Sequence, residues 1–107
     1  VACLVGSEMC IRDRLECDLE LSPSDILSSD EYIGDRYGVL TQEGRDALKL
    51  VAETEGIFLD PVYTSKAMAG MIDQIRKGII TKNETVVFIH TGGLPALFAY
   101  AEDLMLS

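Results

Sequence analysis

The residues with chemistry to offer gather late in the chain, in the run Val86-Val87-Phe88-Ile89-His90-Thr91-Gly92-Gly93-Leu94-Pro95. Four of its first five residues are apolar and β-prone, which predicts a buried strand. Thr91-Gly92-Gly93 lets backbone come close to a ligand, because glycine carries no Cβ and accepts positive φ. Pro95 suits the first turn of a helix. A strand that runs through a glycine turn into a helix is where open α/β sheets bind ligands, beyond the carboxyl ends of the strands. The same pattern also serves as a plain turn with nothing bound. Metal chemistry is not expected: Cys3, Cys10 and Cys17 lack metal-ligand spacing, and no second histidine accompanies His90.

At 107 residues the chain makes at most one domain with a modest core, and it is short for an α/β enzyme. A fragment is therefore a natural reading. The formal charge of −9, with eighteen acids against nine bases, excludes a phosphate-backbone binder, so no nucleic-acid partner is expected. The acid excess favours solubility. No run reaches the roughly 18 apolar residues of a membrane span, and no signal-peptide pattern opens the chain. The expectation is a soluble cytoplasmic protein with no membrane partner.

Cys3-Leu4-Val5-Gly6-Ser7-Glu8-Met9-Cys10-Ile11-Arg12-Asp13-Arg14 resembles the translation of a transposase-type sequencing-library adapter. Residues 1–14 are accordingly set aside from fold reasoning. That leaves residues 15–107 as the evolved portion, Cys17 as its only cysteine, and an expectation that the natural protein extends upstream.

From Leu15 the pattern is that of an α/β fold. Leu15, Cys17, Leu19 and Leu21 alternate with Glu16, Asp18 and Glu20, the period of a strand with one buried face. Ser22-Pro23-Ser24-Asp25 breaks it, and residues 28–38 read as a loop. Thr41 is a good N-cap for a helix with Ala47, Leu50, Val51 and Thr54 along one side and Gly56 at its end. Ile57-Phe58-Leu59 reads as a short buried segment. After Asp60-Pro61, Thr64 or Ser65 can cap a second helix whose stripe is Ala67, Met68, Met71, Ile72 and Ile75, ending at Gly78. Helix, apolar segment, helix, strand, turn and helix predict part of a mainly parallel sheet flanked by helices.

Three blocks carry a resemblance. They are Gly34-Asp35-Arg36-Tyr37-Gly38-Val39, the run from Thr54 through Asp60-Pro61-Val62-Tyr63-Thr64-Ser65-Lys66 to Gly70, and Phe88-Ile89-His90-Thr91-Gly92-Gly93-Leu94-Pro95-Ala96-Leu97. Together they resemble the C-terminal part of the D-cysteine desulfhydrase and 1-aminocyclopropane-1-carboxylate (ACC) deaminase family, pyridoxal-phosphate enzymes with the tryptophan-synthase-β type of fold, known as fold type II. The resemblance implies that Tyr37 and Tyr63 are the family's two active-site tyrosines. Each offers a ring face to the cofactor and a hydroxyl for proton relay or substrate orientation.

The resemblance also implies cofactor contacts for Thr64, Thr91, Gly92 and Gly93. ACC deaminases carry Glu directly after the second tyrosine and Leu directly after the histidine, where this chain has Thr64 and Thr91. A carboxylate at the pyridine nitrogen holds its proton and deepens the electron sink, which suits opening a cyclopropane. A hydroxyl gives a neutral hydrogen bond, sufficient when a β-thiolate leaves. Thr91 is read as that hydroxyl, Thr64 as its neighbour, and His90 as a satisfied strand-end histidine rather than a catalytic base. The Schiff-base lysine and the main phosphate loop of the family lie upstream, so none of Lys49, Lys66, Lys77 or Lys82 is expected to take that role.

The implied activity is α,β-elimination of D-cysteine to pyruvate, sulfide and ammonia, by a full-length protein that acts on a small amino-acid substrate and forms a homodimer. ACC deamination is the alternative within the family. A non-catalytic ligand-binding or interaction domain of the same fold is the alternative outside it. The chain by itself is expected to be inactive.

Overall fold

The computed structural model describes residue 16, residues 22–25 and residues 27–105. Most of the strand expected over residues 15–21, the adapter-like run and all three cysteines lie outside the described residues. A short 3-10 turn, Pro23–Asp25, leads into four helices: α1 Gln42–Glu55, α2 Thr64–Arg76, α3 Ala96–Ala99 and α4 Ala101–Met105.

α1 starts and stops where its sequence says. The Thr41 hydroxyl accepts a bond from the Gly44 N–H at 3.1 Å, and Gly56 closes the helix in the left-handed region at φ 66°, which a residue with a Cβ adopts only at a cost. Its buried stripe is narrower than predicted: Ala47 and Val51 are buried, whereas Leu50 and Thr54 are exposed.

α2 differs from expectation at its cap and over part of its face, although Met68, Met71 and Ile72 lie in or against the core as predicted. Thr64 and Ser65 do not cap it; both lie buried inside its first turn, and the capping acceptor is Asp60. The buried face carries Ser65, Met68 and Ala69, while Ala67 and Ile75 are exposed. Small residues explain the difference, since Ala69 and Gly70 let neighbours approach closely. A Cβ on Gly70 would stand 2.9 Å from the Tyr32 ring.

Ala47, Val51, Leu59, Met68 and Ala69 form the core between α1 and α2, with Leu48, Met71, Ile72 and Phe88 packed against it. Leu59 is fully buried, a contribution of about 1.5–3 kcal/mol. Its neighbours Ile57 and Phe58, predicted to be buried with it, are exposed.

The largest correction concerns the sheet. Among the described residues there is no strand, so the predicted mainly parallel sheet is not formed there. Residues 86–89 keep a strand's alternation, with Phe88 against the core and Val87 and Ile89 mostly exposed. A ladder needs a neighbouring strand to exchange hydrogen bonds, and the described residues supply none. Beyond this segment, Gly92 and Gly93 turn the chain into α3 behind Pro95. No helix among the described residues is long and apolar enough to cross a membrane.

Candidate functional site

Tyr37 sits on the loop between residues 27 and 41, which three side chains fasten from outside it or from within. The Lys66 ammonium of α2 donates to the Ile33 carbonyl at 2.6 Å, and the Tyr100 hydroxyl donates to the Gly38 carbonyl at 2.6 Å. Within the loop, Tyr32 lays its ring on Gly70 and donates its hydroxyl to Asp73. Asp73 also pairs with Lys77 at 2.6 Å. The Lys77 hydrogen bond, with help from Tyr32, holds the Asp73 carboxyl below its ordinary value, and the same contact with Asp73 raises Lys77.

So fastened, the loop brings Tyr37 to Tyr63. Their hydroxyl oxygens are 2.5 Å apart, and their rings are tilted by 59° with centroids 6.0 Å apart. Both side chains remain open to solvent, 77% and 56% exposed, so an incoming ligand can reach them. The hydrogen bond with Tyr37 raises the Tyr63 hydroxyl above its ordinary value, because the shared bond favours the un-ionised pair. Both tyrosines border a groove of about 660 Å³ that Tyr32, Val62, Lys66 and Met71 also line. A second groove of about 590 Å³ between α1 and α2 contains none of the predicted site residues.

Tyr63 is held from below by Asp60, which is fully buried. One carboxylate oxygen accepts the N–H groups of Val62 and Tyr63, each at 2.8 Å. The other accepts the Thr64 N–H at 2.8 Å and its hydroxyl at 2.7 Å. Burial pushes the Asp60 carboxyl up, but the bonds from Thr64, Tyr63 and Val62 outweigh it and leave the group below its ordinary value. The helix N-terminus favours the anion as well. The Thr64 hydroxyl is thereby engaged twice, since it also accepts the Asp60 N–H at 2.8 Å.

The glycine turn reaches the same carboxylate. A Cβ on Gly93, whose φ is +89°, would lie 2.8 Å from the Asp60 carboxyl carbon. His90 adds a second tie: its Nε2 meets the Phe58 carbonyl at 2.8 Å, and its Nδ1 accepts the Gly92 N–H at 3.1 Å. A carbonyl can only accept and an amide can only donate, so these partners select the neutral Nε2–H tautomer. That is the satisfied histidine predicted from the sequence. Thr91 is exposed and makes no hydrogen bond among the described residues.

Of the predicted residues, Tyr37 and Tyr63 are in direct contact, and Gly93 joins them through Asp60. Thr64 points its hydroxyl inward to Asp60, while Thr91 stands at the surface of the turn. Sequence reasoning missed Asp60, Lys66 and Tyr100. Asp60 had a legible signal, an acid four residues before Thr64 at the start of a helix. Lys66 and Tyr100 act on backbone carbonyls distant in sequence, which no local pattern announces.

A family model described as pyridoxal-phosphate dependent enzyme matches residues 7–92. Its match begins inside the adapter-like run. Among solved structures, the chain is similar to one described as an ACC deaminase homologue, with 37% sequence identity and a TM-score of 0.70. That similarity covers 88% of this chain and 27% of the other, so the chain spans about a quarter of that protein's length.

Proposed function

The chain belongs to the pyridoxal-phosphate-dependent enzyme family, and from that membership we propose that it is the C-terminal part of a lyase that releases sulfide and ammonia from D-cysteine or a related small amino acid. The observation that carries this reading is the exposed Tyr37–Tyr63 hydroxyl pair, tied through Asp60 to a glycine turn bearing the Thr91 hydroxyl.

The residues present fit one wall of a pyridoxal-phosphate site. A Cβ on Gly92 would meet nothing within 4 Å, so the turn leaves open space there, the two tyrosine rings are open, and the Thr91 hydroxyl is available. Two of the lysine amines are engaged elsewhere: Lys66 with the Ile33 carbonyl and Lys77 with Asp73. When bound, pyridoxal phosphate supplies an electron sink for the carbanion left by α-proton removal. Tyr63 stays protonated at neutral pH and its hydroxyl meets that of Tyr37, so the pair can donate a hydrogen bond to a substrate or relay a proton. Tyr37 shares that proton and orients it. Thr91 offers the ring nitrogen a neutral hydrogen bond, Gly92 leaves room for the ring with Gly93 seated on Asp60 behind it, and Thr64 supports the wall through Asp60.

In the full-length protein, residues 86–89 take their place in a mainly parallel sheet supplied from upstream. The same reading makes that protein a cytoplasmic homodimer, with residues 1–14 adapter-derived.

ACC deamination is the second reading, supported by the similarity to an ACC deaminase homologue. Thr64 and Thr91, in place of the Glu and Leu implied for that branch, favour the desulfhydrase. Assaying the full-length protein decides: sulfide and pyruvate from D-cysteine are expected, and 2-oxobutyrate from ACC without sulfide from D-cysteine would replace the first reading with the second.

A further inference from the structure

We propose that Asp60 is a positioning residue that clamps the Tyr63 segment and the Gly92-Gly93 turn into one unit, a role that rests on the functional reading above. Two stretches distant in sequence meet here at two points. Phe58 holds His90 through its carbonyl, 32 residues away, and Asp60 abuts Gly93. Among the described residues only Asp60 joins the turn to Tyr63 itself, because its carboxylate accepts the Tyr63 N–H while its carboxyl carbon packs on Gly93. It does so with no exposed surface, so it touches no ligand and acts through its neighbours.

The hydrogen bonds make the carboxylate hard to replace. Both oxygens act only as acceptors, each from two donors. An asparagine has the same shape, but its amide must turn an NH₂ group toward one of the two donor pairs. Either the Val62 and Tyr63 amides or the Thr64 pair then faces another donor. A methyl on Gly93 attacks the clamp from the other side: it drives into the carboxyl carbon, at a φ that disfavours any Cβ, and leaves every donor and acceptor in place. Two chemically different changes thus disturb one contact, and their effects on positioning should not add.

The test uses the full-length holoenzyme with Asp60→Asn, Gly93→Ala and both together, read by fluorescence of the bound cofactor and by kcat and KM separately. Each single variant is expected to shift the emission and to lower kcat by about tenfold or more, with KM changing by less than about threefold. The double variant is expected to be no worse than the worse single. Wild-type emission and kcat in either folded single variant, or losses that multiply in the double, would overturn the proposal. Where Asp60→Asn does not fold, Gly93→Ala decides on the same two readouts. A wild-type protein that carries no cofactor defeats the functional reading and this proposal with it; a cofactor-loaded wild type with unaffected variants defeats this proposal alone.

Discussion

The hydroxyl of Tyr63 lies 2.5 Å from that of Tyr37, across 26 residues of sequence and between a loop and a helix N-terminus. The pair shares one proton position, so its members should act together. In the full-length enzyme Tyr37→Phe and Tyr63→Phe are each expected to lower kcat by about 10²-fold, with the double variant close to the worse single. Steady-state kinetics of the four proteins check this; multiplying losses would show two independent roles.

The raised Tyr63 hydroxyl sets the sign of an alkaline effect. A folded value above the ordinary 10.0 means that the contribution is complete below pH 10 and is lost as pH rises through the folded value. Tyr32, raised by its hydrogen bond to Asp73, ionises late as well, so ultraviolet titration of tyrosinate should show two late-ionising phenols, of which one moves to lower pH in Tyr37→Phe.

Asp60 gives the opposite sign. Its folded value lies below 3.8, so its contribution is present above about pH 4 and is lost as pH falls through the folded value. Melting temperatures followed from neutral pH down into that range should fall less steeply for Asp60→Asn than for the wild type. Equal slopes would remove Asp60 from the acid transition.

Much of this was legible locally and little of it globally. Thr41 and Gly56 marked α1 because a cap is written in adjacent residues. His90 and Tyr63 were named by their blocks, but what holds them was not. Lys66 reaches Ile33, and Tyr100 reaches Gly38, over separations of 33 and 62 residues, and no periodicity encodes such contacts. The sheet expected around residues 86–89 is not seen among the described residues for a related reason: alternation specifies which side chains face the core, whereas a ladder requires another strand. The α2 stripe was legible in part: Met68, Met71 and Ile72 lie in or against the core, whereas Ala67 and Ile75 are exposed and the small Ala69 and Gly70, which permit the closest approach, are buried.

That approach is itself testable. Gly70→Ala gains about 1 kcal/mol of helix propensity, but its methyl would stand 2.9 Å from the Tyr32 ring, an overpacking cost of about 1–3 kcal/mol. The net expectation in the full-length protein is a loss of about 1 kcal/mol in chemical denaturation, with faster hydrogen exchange over residues 30–38 as Tyr32 leaves Asp73. A stabilised variant would mean that Tyr32 does not anchor the loop.

The isolated 107-residue chain exposes Phe58, Val87, Ile89 and Phe98 to water, a set of apolar side chains that favours association. Light scattering of a purified preparation should report oligomers or partial disorder, and borohydride treatment after adding pyridoxal phosphate should leave no site-specific covalent adduct by mass spectrometry. A monomeric, cooperative melt, or a stoichiometric adduct on one lysine, would contradict these expectations.

A crystal structure of the full-length holoenzyme would show whether Tyr37, Tyr63 and the 91–93 turn form one wall of a cofactor site. Both tyrosines are expected in contact with pyridoxal phosphate or substrate, and the Thr91 hydroxyl within hydrogen-bonding distance of the pyridine nitrogen. A cofactor bound away from Tyr37 and Tyr63, with Thr91 facing solvent, would contradict that arrangement.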